Sequence, residues 1–469
     1  MSGIPRFRSG LDGIVWPPVP VGDAATVAAL VARLMASERL PLAEIEAAQG
    51  TQLARLAAHH ARHSPAFRTR LAAARLSRSA LDSVAALRRL PAMSRRQVQD
   101  AGKGFGAAQL PISHEPTGEV TTSGSTGEPV RLRKTAVCRL LWAACTIRDH
   151  LWHGRDFAGP MTSIRPTNPS YIEMEHWGNP VGELFVTGPA QAMPGTTSID
   201  EQVAAIDRFQ PEHLLCFPNN LKALADRWTA RPEGRPASIR HLRSVGAMLS
   251  PDLRVRLEDM LGLPIEDNYS SAEVGIIAVQ CPGRELYHTM AESVVVEVLA
   301  DDGRPCIEGE VGRVVVTDLH NFASPMLRYD IGDYAEVGGP CPCGRTLPTL
   351  RRILGRKRNL LMKADGSRFL PRAGFETFHK IAPIQQYQVV QHALDDIEFK
   401  LVAVEPLTPA QEEAFADTLR KALQFEGRIR VVQSREYLPD SIAGKYEDFI
   451  CKVDADDGDK GVVPPFTQP

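Results

Sequence analysis

The chain lacks the features that mark membrane and secreted proteins. None of its 469 residues belong to a run approaching the roughly 18 consecutive apolar residues that a membrane-spanning helix needs. The N-terminal residues MSGIPRFRSGLDG contain no apolar core of the kind found in signal peptides. We therefore expect a cytoplasmic protein without a membrane partner.

The chain also lacks an excess of charge of either sign. Its 54 Lys and Arg and 56 Asp and Glu give a formal net charge of −2 at pH 7, which favours neither a nucleic acid nor an anionic membrane as partner. Eight cysteines are present. Without a signal peptide they are more typical of thiols or metal ligands than of disulfides.

The hydrophobic pattern predicts an α/β protein. Residues 24–90 have apolar side chains at helical spacing, with a break near Ser64, and predict an N-terminal helical layer. From about residue 118 strands and helices alternate, which indicates parallel α/β layers, whereas residues 293–337 read as antiparallel strands. Three strand-like segments and one helix starting at Thr408 follow. We predict a large multi-layer N-terminal domain with mixed sheets and helices, and a small α+β C-terminal domain.

The segment TTSGSTGEP, residues 121–129, is the first that points to chemistry. Its glycines allow close approach of the backbone to a ligand, and its N–H groups and hydroxyls can surround phosphate oxygens. It is not a Walker A loop, because GxxxxGK[ST] is absent. On its own it is equally consistent with a solvated Ser/Gly hairpin turn. The residues that would hold phosphate are Ser123, Gly124, Ser125, Thr126 and Gly127.

Four later motifs favour the phosphate interpretation. In NYSSAE, Tyr269 can stack on a base and Glu273 can hold Mg²⁺. Asp333 in LRYDIGD can accept both ribose hydroxyls, and Arg356 in ILGRKRN can contact ribose or phosphate. Lys445 in SIAGKYEDF would be an ordinary surface lysine unless a mobile domain delivers it to the same site.

This ordered set resembles the adenylate-forming superfamily, which includes acyl-CoA synthetases, luciferases and peptide-synthetase adenylation domains. The segments HSPAFRTRL, LRRLPAMSRRQ, LLCFPNNLKALA and CPCGR are similar to its phenylacetate-CoA ligase-like branch. The resemblance covers roughly residues 40–450. It implies an adenylation domain at 1–357, a mobile C-terminal domain at 358–455 that pivots at Arg358, and a flexible tail at 456–469.

The resemblance also implies the reaction. ATP and Mg²⁺ would activate a carboxylic acid to an acyl-adenylate, and CoA would then take the acyl group as a thioester. The loop would cradle the β- and γ-phosphates, Tyr269 would pack on adenine, and Glu273 would bind Mg²⁺. Lys445 would bridge the carboxylate and the α-phosphate, because two anions must meet there and a cation offsets their repulsion.

Three departures from the family pattern bear on the details. Ala272 stands where the family carries Thr or Ser, and Ala247 or Met248 stands where an acidic residue is usual. Residues 363–371 differ from the short Gly-rich turn that accompanies the CoA tunnel. A carrier-protein thiol or an amine therefore remains an alternative acceptor, and a nucleotide-binding protein without catalysis is a further alternative. A homodimer is left open.

The acid pocket is expected between the 121–129 loop and the NYSSAE strand. Tyr171 and Trp177 could line it, although core or lid packing explains these aromatic residues equally well. Gly246 and Ala247 would form another wall, which the missing acidic residue makes more apolar. We therefore expect an aryl or arylacetic acid as substrate.

A second site is predicted from cysteine spacing. Cys341 and Cys343 form CPCG, and Cys281 and His288 lie upstream in CPGRELYH. Three thiolates and one imidazole suit tetrahedral Zn²⁺ in a structural clip between two loops. The alternative is four ordinary residues, two of them buried thiols.

Overall fold

The computed structural model describes most of the chain, namely residues 5–121, 129–363, 368–369, 375–434 and 447–453. Its contacts divide into two compact units. The first unit comprises Met1–Ala247, Met260–Ile331 and Ala335–Ile353, and the second comprises Met248–Asp259, Gly332–Tyr334 and the chain from Leu354 onward. The predicted boundary at residue 358 stays a prediction, and the tail 456–469 lies outside the described residues.

The N-terminal layer is helical, as predicted. Its helices are α1 (Gly22–Ser37), α2 (Leu42–His63), α3 (Pro65–Ala73), α4 (Val84–Leu87) and α5 (Arg95–Ala101). The break between α2 and α3 is at Ser64, whose hydroxyl accepts a hydrogen bond from the Phe67 N–H at 3.2 Å. Pro65 follows at the first helical position, where its missing N–H carries no penalty.

Strands and helices then alternate through the middle of the chain. The strands are β1 (Thr117–Thr121), β2 (Arg131–Thr135), β3 (Met161–Arg165), β4 (Ile172–Met174), β5 (Ala190–Pro194), β6 (His213–Cys216), β7 (His241–Ser244), β8 (Ile265–Ser271), β9 (Gly275–Gln280), β10 (Tyr287–Thr289), β11 (Val294–Leu299), β12 (Val311–Asp318), β13 (Tyr329–Val337) and β14 (Thr349–Arg356). The helices are α6 (Ala136–Trp152), α7 (Val181–Leu184), α8 (Ile199–Phe209), α9 (Pro218–Thr229) and α10 (Pro251–Leu261).

The described residues form a twelve-stranded sheet in the order β11-β12-β13-β14-β10-β9-β8-β7-β6-β3-β5-β4. Strands β5, β3, β6, β7 and β8 are parallel, which confirms the α/β layers predicted from the alternating pattern. The β11–β12 pair is antiparallel, as its β-branched sequence predicts. Ligands of open α/β sheets bind outside the carboxyl ends of the parallel strands, and Arg165, Ser244 and Ser271 end three of those strands.

The second unit has its own small core. Its elements from residue 361 onward are β15 (Leu361–Met362), β16 (Arg368–Phe369), α11 (Phe375–His379), β17 (Ile384–Ala393), β18 (Asp396–Ala403), α12 (Pro409–Leu423), β19 (Arg428–Ser434) and β20 (Phe449–Cys451). Phe378, Phe399 and Phe415 are fully buried between the sheet and the helices. The predicted helix begins after Thr408, which forms a capping box with Gln411.

Among the helices of the described ranges, none is long and apolar enough to cross a bilayer.

Candidate active site

The segment predicted to hold triphosphate closes a β-hairpin. Strands β1 and β2 pair antiparallel, with Thr121 opposite Arg131 at the end of the ladder that the segment joins. The five phosphate-binding residues predicted from the sequence, Ser123 to Gly127, lie outside the described residues. The base of the hairpin is fixed, because the Arg133 N–H donates to the Ser324 hydroxyl and the Asn321 amide donates to the Arg133 carbonyl, both at 3.1 Å.

Tyr269 and Glu273 lie at the carboxyl end of β8. Tyr269 is 8% exposed within the strand, and Glu273 is 5% exposed in the turn to β9. The Arg95 guanidinium lies 3.7 Å from a carboxylate oxygen of Glu273. A carboxylate held in this turn can ligate a divalent cation. Without a cation, the positive charge of Arg95 balances the charge of the Glu273 carboxylate.

Arg95 is held in place by its own segment. Met93 makes a parallel bridge to Tyr329 on β13, in which the Met93 N–H donates to the Arg328 carbonyl at 2.6 Å. Ser94 then caps α5, and Arg95 is the first helical residue. The sequence motif LRRLPAMSRRQ marked the family resemblance, but the pairing with Glu273 could not be predicted because it joins residues 178 positions apart.

Asp333 and Arg356 contact each other. The Arg356 Nε lies 3.1 Å from an Asp333 carboxylate oxygen, so the structure brings together the two residues predicted to contact ribose. Gly332 has a φ of +80°, and a Cβ there would lie 2.9 Å from an Arg356 guanidinium nitrogen. The positive φ favours glycine at this position, whereas the flexible end of the Arg356 side chain could move away from a Cβ.

Two predicted residues can be located only in part. The backbone of Arg358 lies in a 3₁₀ turn, Lys357–Asn359, directly after β14, and its side chain is outside the described set. Lys445 lies outside the described residues, between β19 and β20. The pivot and the catalytic lysine stay predictions.

The aromatic residues predicted for the acid pocket lie in different surroundings. Tyr171 is 43% exposed and its hydroxyl contacts Glu173 and Arg208. Trp177 is fully buried, and its indole N–H donates to the Gly159 carbonyl at 3.0 Å. The structure therefore shows Tyr171 at a surface and Trp177 in the core, and their assignment to the acid pocket stays a prediction.

Gly246 and Ala247 follow β7 at the carboxyl edge of the sheet. Gly246 has a φ of +78°, and a Cβ on it would lie 2.5 Å from the Phe217 ring. Phe217 follows the carboxyl end of β6 and is only partly buried. An aromatic ring thus lies against the wall that the sequence predicted to be apolar.

A cavity of about 560 Å³ opens beside the hairpin. It is lined by both hairpin strands, by Leu141 and Trp142 of α6, and by Ser271 and Ala272 directly before Glu273. Its volume is within the range of small-molecule sites. A ligand in this cavity would therefore lie next to both the hairpin and the Glu273 turn.

The four predicted metal ligands converge. The ligand atoms of Cys281, His288, Cys341 and Cys343 all lie within 4.8 Å of one another. The Cys343 Sγ is 3.3 Å from the His288 Nε2, and the His288 Nδ1 is 3.3 Å from the Leu347 carbonyl. Burial lowers the pKa of His288 to about 4, so its imidazole is neutral and its Nε2 can serve as a ligand.

The chain matches a known family over much of its length. A family profile described as AMP-binding enzyme matches residues 17–323, well over half of the chain. The chain belongs to this family. The phenylacetate-coenzyme A ligase of Thermus thermophilus is 26% identical over 426 residues, which are 85% of this chain and 90% of the relative. These matches confirm the adenylate-forming superfamily, its phenylacetate-CoA ligase-like branch, and the enzyme class of acid–thiol ligase.

Solved structures share the fold. A 2-hydroxyisobutyryl-CoA ligase in the postadenylation state, in complex with 2-HIB-AMP, superposes with a TM-score of 0.71 at 20% identity, covering 88% of this chain and 91% of that chain. The same ligase with 2-HIB-AMP and CoA, in the thioesterification state, gives a TM-score of 0.58 at 21% identity, covering 89% and 92%. These likenesses confirm the predicted fold class of this AMP-binding enzyme.

Proposed function

We propose that this AMP-binding enzyme activates an aromatic carboxylic acid with ATP and Mg²⁺ and passes the acyl group to CoA. The observation that carries the proposal is the position of Glu273. Glu273 is buried between Ala272 and Val274, which line the cavity beside the β1–β2 hairpin, and this supports it as the Mg²⁺ ligand next to the loop that would hold triphosphate.

The chemistry has two steps. A carboxylate oxygen of the acid attacks the α-phosphorus of ATP, a new P–O bond forms, and pyrophosphate leaves. The thiol sulfur of CoA then attacks the acyl carbon and AMP leaves. Glu273 would hold Mg²⁺, which when bound supplies positive charge to the phosphates, and Lys445 would stabilise the meeting of the two anions.

The aromatic substrate is supported by the carboxyl edge of the sheet. The Phe217 ring packs against Gly246, and Ala247 follows where an acidic residue would make the wall polar. An aryl group can bury apolar area against these residues and pack edge-to-face or offset on the ring. Such a pocket favours an aryl or arylacetic acid over a small polar acid.

A structural Zn²⁺ belongs to the same proposal. Three thiols and a neutral imidazole, with the second ring nitrogen of His288 against a backbone carbonyl, form the donor set that tetrahedral zinc prefers. The residues therefore fit the metal. Bound there, Zn²⁺ would join the β9–β10 turn to the loop before β14, without a role in the reaction.

The test is acid-dependent exchange of labelled pyrophosphate into ATP, measured over a panel of aromatic and aliphatic acids. We expect exchange with aromatic acids, and a loss of roughly a hundredfold or more in Lys445→Ala. Mass spectrometry with CoA as the sole acceptor should show the acyl-CoA. Adenylate without acyl-CoA would favour a carrier-protein thiol or an amine as acceptor, and ATP binding without exchange would indicate a protein that has lost catalysis.

A further inference from the structure

The strongest unexplained feature of the first unit is the arginine that ends β3. Arg165 is partly buried, its Nε is shielded from solvent, and within the described ranges its side chain makes no hydrogen bond and no ion pair. Burial lowers the pKa of this guanidinium, and among the described residues no carboxylate opposes the effect. A guanidinium that is partly removed from water without a counter-charge is unfavourable, and an anion bound by its nitrogens would offset that cost.

The other buried arginines on this side of the sheet are paired. Arg243 of β7 contacts the Asp149 carboxylate of α6, and Arg155 contacts both Asp149 and Glu266. These carboxylates are therefore occupied. Arg165 does not share the Asp149 carboxylate with Arg243. The positive charge of Arg165 instead repels that of Arg243 and lowers the pKa of Arg243.

The register of the parallel strands places Arg165 on a defined face. One row across the sheet contains Ser163 of β3, Leu215 of β6, Arg243 of β7 and Glu266 of β8. Arg165 follows Ser163 by two residues, and Asn268 follows Glu266 by two. Because side chains two apart on a strand share a face, Arg165 and Asn268 emerge from the same face near the carboxyl edge. The Oδ1 of Asn268 is buried and has no hydrogen-bond partner within the described part of the chain. The Arg165 guanidinium and the Asn268 Oδ1 thus lie on one face of the sheet, near the carboxyl edge at which Gly246 and Glu273 follow their strands.

The positions along this edge define the length of a ligand. Glu273 follows β8, Gly246 follows β7, Phe217 follows β6, and Arg165 ends β3, in the order of the sheet. Three strand spacings separate β8 from β3, roughly 14 Å at about 4.8 Å each. An acid whose reacting carboxylate lies at the Glu273 end would pass Phe217 and present its far end to Arg165.

We propose that Arg165 binds a second anionic group at the far end of the acid, so that the substrate is an aryl or similarly extended acid with two acidic groups. The inference rests on the proposed function and specifies its substrate class. A planar guanidinium can hold a carboxylate through two parallel hydrogen bonds, which suits it to this role.

The experiment compares acids that differ only in the second carboxylate. The pairs are benzoate and terephthalate, phenylacetate and 1,4-phenylenediacetate, and octanoate and suberate. Pyrophosphate exchange is measured for the wild type, Arg165→Met and Arg165→Lys. The matched control is Arg240→Met, which removes an exposed arginine at the opposite, amino edge of β7.

We expect the wild type to prefer the dicarboxylate member of at least one pair. Arg165→Met should lower kcat/KM for that dicarboxylate by about 10- to 100-fold, mainly through KM, as lost charge-assisted hydrogen bonds predict. Its kcat/KM for the monocarboxylate should not fall, Arg165→Lys should retain part of the preference, and Arg240→Met should retain all of it. A wild type that supports exchange but without the preference, or an Arg165→Met variant that keeps it, would overturn the inference.

Thermal unfolding without ATP separates this inference from the proposed function. The dicarboxylate should raise the Tm of the wild type and leave that of Arg165→Met unchanged, since ligand binding to the native state stabilises it. If no acid supports exchange but this shift is seen, the proposed function fails and the anion site stands. Without ligand, Arg165→Met should unfold at the wild-type temperature or above, and a clearly lower Tm would show a structural role for Arg165 and refute the site.

Discussion

The pairing of Arg95 with Glu273 predicts an unusual effect of mutation on metal dependence. The guanidinium lies 3.7 Å from the carboxylate, and the two side chains are 19% and 6% exposed. If Glu273 is the Mg²⁺ ligand, the arginine competes with the metal for the same oxygen atoms. Removing Arg95 should therefore make Mg²⁺ bind more tightly, even though it removes a residue from the site.

The magnitude follows from the geometry. The Coulomb attraction at this distance is about 4.5 kcal/mol at an effective dielectric constant of about 20, whereas solvent-exposed pairs yield about 0.2–1 kcal/mol. With one partner buried and the other partly exposed, we take a net value of about 1–2 kcal/mol. That corresponds to a decrease of about 5- to 30-fold in the Mg²⁺ concentration for half-maximal activity.

The assay is pyrophosphate exchange at saturating ATP and acid with free Mg²⁺ varied. Arg95→Met is compared with Arg96→Met, whose arginine lies next in the chain but pairs with Asp100 at the surface. Only Arg95→Met should shift the Mg²⁺ curve to lower concentration. An unchanged or weaker Mg²⁺ dependence in Arg95→Met would refute the competition between the guanidinium and the metal.

Three further predictions concern stability. Cys343→Ser should lose one equivalent of Zn²⁺ by elemental analysis and lower Tm, and a metal-free wild type of equal Tm would contradict the zinc clip. Gly246→Ala should destabilise by more than Gly262→Ala, because both need a positive φ but only the first also meets an aromatic ring. Gly262→Ala alone should lower the free energy of unfolding by about 1–2 kcal/mol. If urea unfolding shows an equal loss for Gly246→Ala, the Phe217 ring moves aside without cost. Burial lowers the pKa of His60 to about 3 and of His213 to about 4. Below about pH 6.5, these histidines therefore bind protons in the unfolded chain but not in the folded chain. For each of these histidines the free energy of unfolding should fall with a slope that rises from about 0.7 kcal/mol per pH unit at pH 6.5 to about 1.4 near pH 5, and a constant urea midpoint would contradict it.

Local features of the fold were predictable because they depend on short-range physics. The break at Ser64 and the start of the helix after Thr408 follow from a hydroxyl cap with proline at the first helical position, and both are confirmed. Parallel and antiparallel regions were distinguished by alternation with helices or by β-branched runs around turns. The order of twelve strands in the sheet could not be derived, since it depends on long-range packing.

The candidate site was predictable where a motif carries its own chemistry. Asp333 and Arg356 are in contact, and Cys281 and Cys341 converge across 60 residues, as their motifs suggested. Arg165 was not singled out, because a single arginine in a strand has no sequence signal. Its significance is that no described residue pairs with it, which only the packing of neighbouring strands can show.

The hydrogen bonds of α2 have a consequence for the order in which the protein can fold. Gln49, Gln52, His59 and His60 bind backbone carbonyls of residues 291, 319, 322 and 321, which lie 242 to 267 positions later in the chain. At a synthesis rate of about 5–20 residues per second, those carbonyls leave the ribosome roughly 12–50 s after α2. Throughout that interval these side chains can hydrogen bond to water but not to their native partners, so this face of α2 reaches its final contacts only after residue 322 has left the ribosome.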